Sequence, residues 1–301
     1  FFPIIKKIIG REILKCKNSS FQQDWLIQKK SNPNDCKFTL NVIVDQLSDC
    51  QKRAQEIKGY QKEFKMEVTK FEMLENVIND VRLRQLLWDS LDSWKRTSDE
   101  YNNGDFSTLV PDDVNMYVTK ILKNIIQLDK GLPANDITPD FKEEVERFRE
   151  KIPVITHLRN PNLKQRHWLR IEGILNYKFI PGEVLTLKKF EELGAFMYAN
   201  ELQDVSAQAS SEASLELLLK KVEDNWKELE FIIFPYRDTK DVFILGSLDE
   251  VQQVLDDSFI NINTILSSRH VGPIKSRVDE WYKLLDLISK TLVRIFLNEK
   301  F

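Results

Sequence analysis

Residues 43–71 read IVDQLSDCQKRAQEIKGYQKEFKMEVTKF, with heptad-like positions spaced alternately four and three residues apart. Such spacing places one stripe of side chains on a single helix face, where it can pack against a partner helix. Gly59 is only a mild interruption. The stripe predicts one long helix in a rod or an elongated bundle, extended by three more apolar positions. Its members are Ile43, Leu47, Cys50, Ala54, Ile57, Gln61, Phe64, Val68, Phe71, Leu74, Ile78 and Val81.

The composition favours a mainly α-helical protein. Of the 301 residues, 42% are hydrophobic and 30% are charged, whereas Gly (9) and Pro (10) are scarce. This composition is typical of long helices joined by short connections. The net charge of -3 lacks the strongly basic footprint of nucleic-acid binding. Three cysteines without metal-ligand spacing, Cys16, Cys36 and Cys50, are interpreted as reduced thiols in a cytosolic setting.

Turn and capping signals divide the rest of the chain into further helices. Residues 102–105 form a turn cluster, Pro111 opens a helix with acids in its first turn, and residues 131–136 form a linker. Thr138 and Asn160 are each followed by proline, which predicts a capped helix start at both places. Further helices are predicted over 188–213 and from Ser214 onward.

Proline and glycine steps predict breaks where rigid subdomains meet, at Pro153, at residues 181–182 and at residues 272–273. We expect one of these breaks to bend between two discrete arrangements. One β signal is convincing, because runs 231–234 and 242–245 are apolar, β-branched and aromatic and are joined by a polar segment. They predict a small β-hairpin. Ser247 and Glu250 form a capping box that opens the next helix.

No set of residues points to catalysis. The sequence contains neither GxxxxGK[ST] nor GxGxxG, and His157, His167 and His270 lack paired metal spacing. Adjacent acids, including Asp256 and Asp257, point in different directions on a helix, whereas acid–base pairs need carboxylates opposed across a pocket. They are interpreted as caps, exposed faces or an interdomain contact.

A basic stretch surrounds His167. One interpretation is a patch that docks an acidic partner or a phosphate. The other, which the pattern favours, is a solvated helix face with a buried tryptophan edge. Trp168, Trp226 and Trp281 lie at helical spacing beside Leu and Ile, so we interpret them as packing anchors rather than ligand cages. The basic neighbours of His167 are Arg159, Lys164, Arg166 and Arg170.

Four stretches resemble the linker of dynein heavy chains, the family's N-terminal region 2. In the first, an apolar–Pro step is followed by RNP at 159–161, RHW at 166–168 and an isoleucine three residues on. The others are SLE at 214–216 with a later Trp, LDD at 255–257 after the hairpin, and a Pro followed by EW at 280–281. A Leu-Leu-Trp run at 86–88 resembles axonemal members. The signature residues are Pro153, Asn160, Pro161, Arg166, His167, Trp168, Ile171, Trp226, Asp256, Asp257, Pro273 and Trp281.

The resemblance implies a domain order and a function. Residues 1–110 would be distal tail helices, 111–290 the first part of the linker, and 291–301 a divergent or truncated end. The segment would be a non-enzymatic, mechanical part of an ATP-driven, minus-end-directed microtubule motor in the cytoplasm, cytoskeleton and ciliary axoneme. Its expected partners are the AAA+ ring of the same heavy chain, intermediate and light chains bound through the tail, and, indirectly, microtubules. ATP would bind in the ring, and neither nucleic acid nor membrane is an expected partner.

Two other classes stay open from the residues alone. A spectrin-like cytoskeletal scaffold is favoured by the heptad-like stripe, whereas the hairpin and the lack of a fixed repeat period disfavour it. A membrane-tethering coiled coil would depend on Ile4, Ile5, Ile8 and Ile9 beside two lysines in residues 1–14. The other interpretation of those residues is a packing helix.

Overall fold

A computed structural model of the protein describes residues 10–11, 24–28, 31–180, 182–235 and 243–298. Over these ranges the chain is mainly α-helical with one antiparallel hairpin, as predicted. The strands are β1 (Ile233–Pro235) and β2 (Phe243–Leu245). The helices are α1 (Pro33–Glu63), α2 (Glu72–Asn103), α3 (Pro111–Gly131), α4 (Ile137–Arg149), α5 (Ile152–Leu158), α6 (Gln165–Leu175), α7 (Leu187–Glu192), α8 (Ala199–Glu228), α9 (Asp249–Leu266) and α10 (Lys275–Asn298).

The described residues form two compact units. Unit 1 contains the residues up to Arg159 together with Ile180–Phe196, and unit 2 contains Asn160–Phe179 and the residues from Met197 onward. The predicted boundaries at 110 and 290 fall inside unit 1 and inside α10. The assignment of these ranges to tail and linker stays a prediction, and so does the elongated shape.

Helices α1 and α2 of unit 1 lie side by side in opposite directions. Lys37, early in α1, pairs with Asp92, late in α2, at 3.0 Å, and Lys58, late in α1, lies 3.6 Å from Glu75, early in α2. The stripe from Ile43 to Gln61 is buried, as its spacing predicted. The prediction of one long helix is wrong, because α1 ends at Glu63 and α2 begins at Glu72.

The end of α1 has a local cause. Lys65 adopts a left-handed conformation (φ 53°), its N–H donates to the Lys62 carbonyl at 3.1 Å, and the Met66 N–H donates to the Gln61 carbonyl at 2.7 Å. These two bonds form a Schellman turn, which satisfies carbonyls at a helix end. The buried side-chain amide of Gln61 then binds the connecting segment, donating to Thr69 Oγ1 at 2.9 Å and accepting from the Thr69 N–H at 2.8 Å. The long helix was also the main support for a spectrin-like scaffold.

A tryptophan joins three helices of unit 1. The Nε1–H of Trp94 in α2 donates to Glu144 Oε1 in α4 at 2.8 Å. Its ring stacks against Tyr117 of α3 at 6.2 Å and meets Phe148 of α4 edge-on at 5.3 Å. Such aromatic pairs stabilise a fold beyond the area that they bury.

The predicted starts and stops around α4 and α5 have mixed outcomes. The break at Pro153 is confirmed, because α4 ends at Arg149 and Pro153 lies in the first turn of α5. The prediction that Thr138 caps α4 is wrong. Asn135 Oδ1 accepts from the Thr138 N–H at 2.9 Å and from the Ile137 N–H at 3.1 Å, so the helix begins earlier.

Two predicted boundaries of α6 are wrong as well. Asn160 Oδ1 accepts from the Asn162 N–H at 3.0 Å, which forms a turn before Gln165 begins the helix. The helix ends at Leu175 because Asn176 is left-handed (φ 50°), several residues before the predicted stop at 181–182.

Unit 2 is organised by α8, a continuous helix of 30 residues. The predicted start at Ser214 is wrong, since Ser214 lies within α8 and its hydroxyl donates to the Ser210 carbonyl at 3.0 Å. The predicted helix over 188–213 is interrupted after α7, where Gly194 is left-handed (φ 73°). The second half of α8 packs with α9 and α10 around Leu215, Leu219, Val251, Leu255, Ile262, Ile265, Ile274, Val278, Leu285 and Leu292.

The predicted hairpin is present in unit 2. Ile233 pairs with Leu245, Phe234 with Ile244 and Pro235 with Phe243. Its predicted connecting loop lies outside the described residues. The predicted capping box is wrong, because Leu248 lies at the cap position of α9 and no side chain caps the helix, although Ser247 Oγ accepts from the Asp249 N–H at 3.3 Å.

Two further expectations concern the start of the chain. The candidate membrane anchor in residues 1–14 lies almost entirely outside the described residues. Among the helices that are described, none combines the length and the apolar character needed to cross a bilayer. Of the predicted thiols, Cys36 and Cys50 are buried and free of disulfides, and burial, followed by the charge of Asp35, raises the pKa of Cys36.

Candidate functional site

The RNP residues lie in the turn before α6, and the RHW residues lie in its first turn. His167 Nδ1 accepts a hydrogen bond from the Lys164 backbone N–H at 3.0 Å, and the His167 N–H donates to the Lys164 carbonyl at 2.8 Å. The first turn of a helix leaves amide groups without intrahelical partners, and the histidine ring satisfies one of them. His167 is therefore part of the construction of α6.

His167 also contacts α8. Its ring is 1% exposed, and Nε2 lies 3.0 Å from Oε2 of Glu212, which is itself 3% exposed. Because Nδ1 already accepts from an N–H, the proton of the neutral ring lies on Nε2 and is donated to Glu212. The interpretation of a solvated helix face is wrong for His167. The acidic partner of this basic stretch is a helix of the same unit.

Glu212 is a buried carboxylate surrounded by donors. Arg166 Nε donates to Oε2 at 2.9 Å, and Gln208 Nε2 donates to Oε1 at 2.7 Å. Burial raises the pKa of Glu212, but the hydrogen bonds from Gln208 and Arg166, together with the charge of Arg166, outweigh it and hold the pKa below its ordinary value. Charge-assisted hydrogen bonds of this kind are among the stronger ones in proteins. Glu212 is therefore the ionised centre of the contact between α6 and α8.

Asn160 binds α8 on one side of this centre. Its side-chain amide donates to the Ser206 carbonyl at 3.0 Å and to the hydroxyls of Ser206 and Ser210, each at 2.8 Å. This amide thereby fixes the turn that precedes α6. The asparagine of the RNP motif has a clear structural role, although not the predicted role of a helix cap.

Two longer side chains extend the contact. Lys164 Nζ lies 2.6 Å from Glu216 Oε1, and Arg170 donates to Gln208 Oε1. Gln208, Glu212 and Glu216 are spaced by four residues and so lie on one face of α8. We call the whole set of contacts the polar seam, which joins Asn160, Lys164, Arg166, His167 and Arg170 to Ser206, Gln208, Ser210, Glu212 and Glu216.

Two other signature residues near α6 pack against neighbours, and two are exposed. Trp168 is half-buried and meets Phe179 edge-on at 5.5 Å, and Ile171 is buried. Pro153 and Pro161 are exposed. The prediction that the helix buries Trp168 is not met in full, because this side chain is only half-buried and packs against Phe179 of its own segment.

The remaining tryptophans support the packing of α8 against α9 and α10. Trp226 Nε1 donates to Ser258 Oγ of α9 at 2.9 Å. Trp281 Nε1 in α10 donates to Glu223 Oε1 of α8 at 3.2 Å, and Arg277 binds the same oxygen at 2.7 Å. Trp226 and Trp281 therefore belong to a second contact, separate from the polar seam.

Three signature residues lie at the surface of unit 2. Pro273 is exposed in a 3-10 turn between α9 and α10. Asp256 and Asp257 are exposed on α9, and Asp256 Oδ1 accepts from Gln252 at 3.1 Å. Two neighbouring exposed carboxylates on one helix form no opposed acid–base pair. Among the described residues, no cluster of three His, Cys, Asp or Glu side chains could hold a metal ion.

The most buried residue of the polar seam, apart from His167, was absent from the predicted set. Glu212 was missed, as were Ser206, Gln208 and Ser210. The sequence did contain a signal for them, because the acceptors at 208, 212 and 216 share one helix face and could bind the basic stretch around His167. The pairing itself is invisible locally, since Arg166 and Glu212 are 46 residues apart.

A family model described as "Dynein heavy chain, N-terminal region 2" matches residues 74–297. The chain belongs to the dynein heavy chain family. The matched range contains the polar seam and every signature residue, and it corresponds to a non-catalytic region of the heavy chain. The resemblance seen in the RNP and RHW motifs is therefore confirmed over a much longer stretch of sequence.

Curated members of the dynein heavy chain family show the same relationship. The chain is 47% identical over 272 residues to dynein axonemal heavy chain 6 of Homo sapiens, covering 90% of this chain and 6% of that protein. It is 28% identical over 254 residues to dynein axonemal heavy chain 1 of Rattus norvegicus (83% and 6%) and 29% identical over 231 residues to dynein axonemal heavy chain 3 of Mus musculus (75% and 6%). The chain thus spans a small part of the length of these dyneins.

Proposed function

We propose that this chain is part of the linker of an axonemal dynein heavy chain and relays conformational change from the ATPase ring to the tail. The similarity to axonemal heavy chains over most of the chain supports this role. The chain would then act in the ciliary axoneme as a mechanical part of a minus-end-directed microtubule motor. It contributes stiffness and contacts, and ATP is bound and hydrolysed in the ring.

The observation that supports a mechanical role most directly is the attachment of α6 to α8 through buried Glu212. Helix α8 has 30 residues, which at about 1.5 Å per residue gives a length of roughly 45 Å. Its backbone hydrogen bonds are internal, and a close-packed core deforms little under load. While the polar seam is closed, a displacement applied to α6 is therefore passed through it to α8, and from there to α9 and α10.

The proposal includes specific partners. Unit 2 and the matched part of unit 1 would act on the AAA+ ring of the same heavy chain. Intermediate and light chains would bind through the tail, to which residues 1–110 are assigned. Microtubules would be contacted only indirectly, through other parts of the motor.

An intact heavy chain that contains this sequence provides the test. Glu212→Ala removes the centre of the polar seam, whereas Glu216→Gln alters one of its more exposed positions and serves as the matched control. We expect Glu212→Ala to slow microtubule gliding several-fold while ATP turnover continues, and the control to glide at the normal speed. Normal gliding by a Glu212→Ala motor whose seam is shown by hydrogen exchange to be open would contradict the proposal.

A further inference from the structure

The two halves of α8 differ in how much of their contact is polar, although the first half also buries apolar side chains such as Leu202 and Val205. From Ser206 to Glu216 its contacts with α6 include the hydrogen bonds and ion pairs of the polar seam. From Leu215 onward α8 packs with α9 and α10 through a continuous apolar cluster. Water can replace a polar contact once it opens, whereas an opened apolar cluster exposes surface that water disfavours. The first contact is therefore the easier one to open.

Helix α6 is poorly equipped to persist without α8. It has only 11 residues, and isolated helices shorter than roughly 12–15 residues are marginal in water. Gly173 lies inside it, and a Cβ at that position would meet no atom within 4 Å, so packing does not explain the glycine. Its buried apolar side chains are Ile171 and Leu175. Loss of the polar seam should therefore unfold α6.

We propose that Asn160–Phe179 forms a latch, which detaches from α8 and unfolds as one element while α8, α9 and α10 stay packed. Glu212 closes the latch, because its carboxylate accepts from both Arg166 and His167 of α6. Proteins open locally in cooperative units whose stability lies below that of the whole fold, and the segment has the features of such a unit. This inference stands on the contacts of unit 2 and does not depend on the linker proposal.

Opening would free the donors of this segment without separating its two ends, because the residues that flank it, Arg159 and Ile180, both belong to unit 1. The apolar cluster of α8, α9 and α10 would stay intact. On reclosure, the exposed donors of α6 would find the acceptors of α8 at their fixed spacing of four residues.

Hydrogen exchange of the 301-residue chain, read by mass spectrometry, tests the latch. In the wild type we expect the amides of α6 to exchange at least about tenfold faster than those of the buried faces of α9 and α10. Glu212→Gln removes the charge and should speed exchange in α6 by about a further tenfold, without changing α9 and α10. Glu216→Gln is the matched control and should change exchange in α6 by less than about threefold.

Two results would overturn the inference. One is wild-type exchange in α6 that is as slow as in α9 and α10. The other is a Glu212→Gln variant in which all helices of unit 2 accelerate together, because this would mean that the unit opens as a whole. If Glu212→Gln does not fold, Asn160→Ala tests the same element, since it removes the bonds to Ser206 and Ser210 and the turn bond to Asn162 and leaves Glu212 in place.

Discussion

The hydrogen bond between His167 and Glu212 should contribute far more than the ion pair between Lys164 and Glu216, although both join α6 to α8. A double-mutant cycle on each pair tests this difference. In each cycle both residues are changed to alanine, singly and together, and the coupling free energy is what the two single changes fail to explain. The effects of each alanine substitution on other neighbouring residues largely cancel in this coupling free energy.

The expected coupling free energies follow from how far each pair of side chains is exposed to solvent. His167 and Glu212 are 1% and 3% exposed, and their atoms lie 3.0 Å apart. A hydrogen bond to a charged group contributes about 1.5–3 kcal/mol net, and the low dielectric of a buried site favours the upper part of that range. The side chains of Lys164 and Glu216 are 44% and 31% exposed, so solvent screens the pair and about 0.2–1 kcal/mol is expected.

Hydrogen exchange of the α6 amides provides the opening free energies for both cycles. Because about 1.4 kcal/mol is a factor of ten in an equilibrium, the buried pair should be coupled by roughly ten- to hundredfold in exchange rate. The exposed pair should be coupled by less than about sixfold. Equal coupling in the two cycles would refute the reasoning, because burial of the carboxylate would then contribute nothing to the strength of the contact.

Three further outcomes are expected. The folded-state pKa of Glu212 lies below its ordinary value of 4.5. The ionised carboxylate therefore stabilises the fold fully above the unfolded pKa, and this contribution is lost as pH falls through the folded pKa. The difference in urea midpoint between wild type and Glu212→Gln should shrink in acid. Gln61→Ala removes two bonds to Thr69 and should lower the stability of unit 1 by about 1–3 kcal/mol, measured by urea unfolding; an unchanged midpoint would mean that these bonds do not hold the connecting segment. Trp226→Phe keeps most of the ring but loses the hydrogen bond to Ser258, which should lower local stability by about 1 kcal/mol. The backbone amides of α8 and α9 should therefore exchange faster with solvent, whereas those of the hairpin should be unaffected.

The sequence predicted the elements of the fold better than their ends. The stripe from Ile43 to Gln61 is read from its spacing, and Pro111 marks a helix start because its ring suits the first turn. The end of α1 was not readable, since a left-handed lysine at 65 closes the turn where glycine is the usual residue. Phe64 continues the spacing and yet is 68% exposed. Periodicity therefore specifies a face but not the length of a helix.

Only the α6 half of the polar seam could be predicted from the sequence. Arg166 and His167 stand out as an RHW motif, whereas Glu212 has the ordinary appearance of an acid on an exposed helix. Its burial is a tertiary effect, caused by donors that arrive from 45 and 46 residues away. A basic stretch next to a buried tryptophan could equally have bound an external acid, and nothing in the local pattern separates an internal partner from an external one.

Gly173 offers a perturbation of the opposite sign. It lies inside α6, where a Cβ would meet no atom within 4 Å, so alanine can be introduced without a clash. Alanine favours a helix by about 0.5–1 kcal/mol over glycine, partly because it restricts the unfolded chain. If α6 opens by unfolding, Gly173→Ala should slow its exchange about two- to fivefold and leave α9 and α10 unchanged. If α6 instead separates from α8 as an intact helix, helix propensity is irrelevant to opening and the rates will not change. The variant therefore distinguishes an unfolding latch from a rigid one.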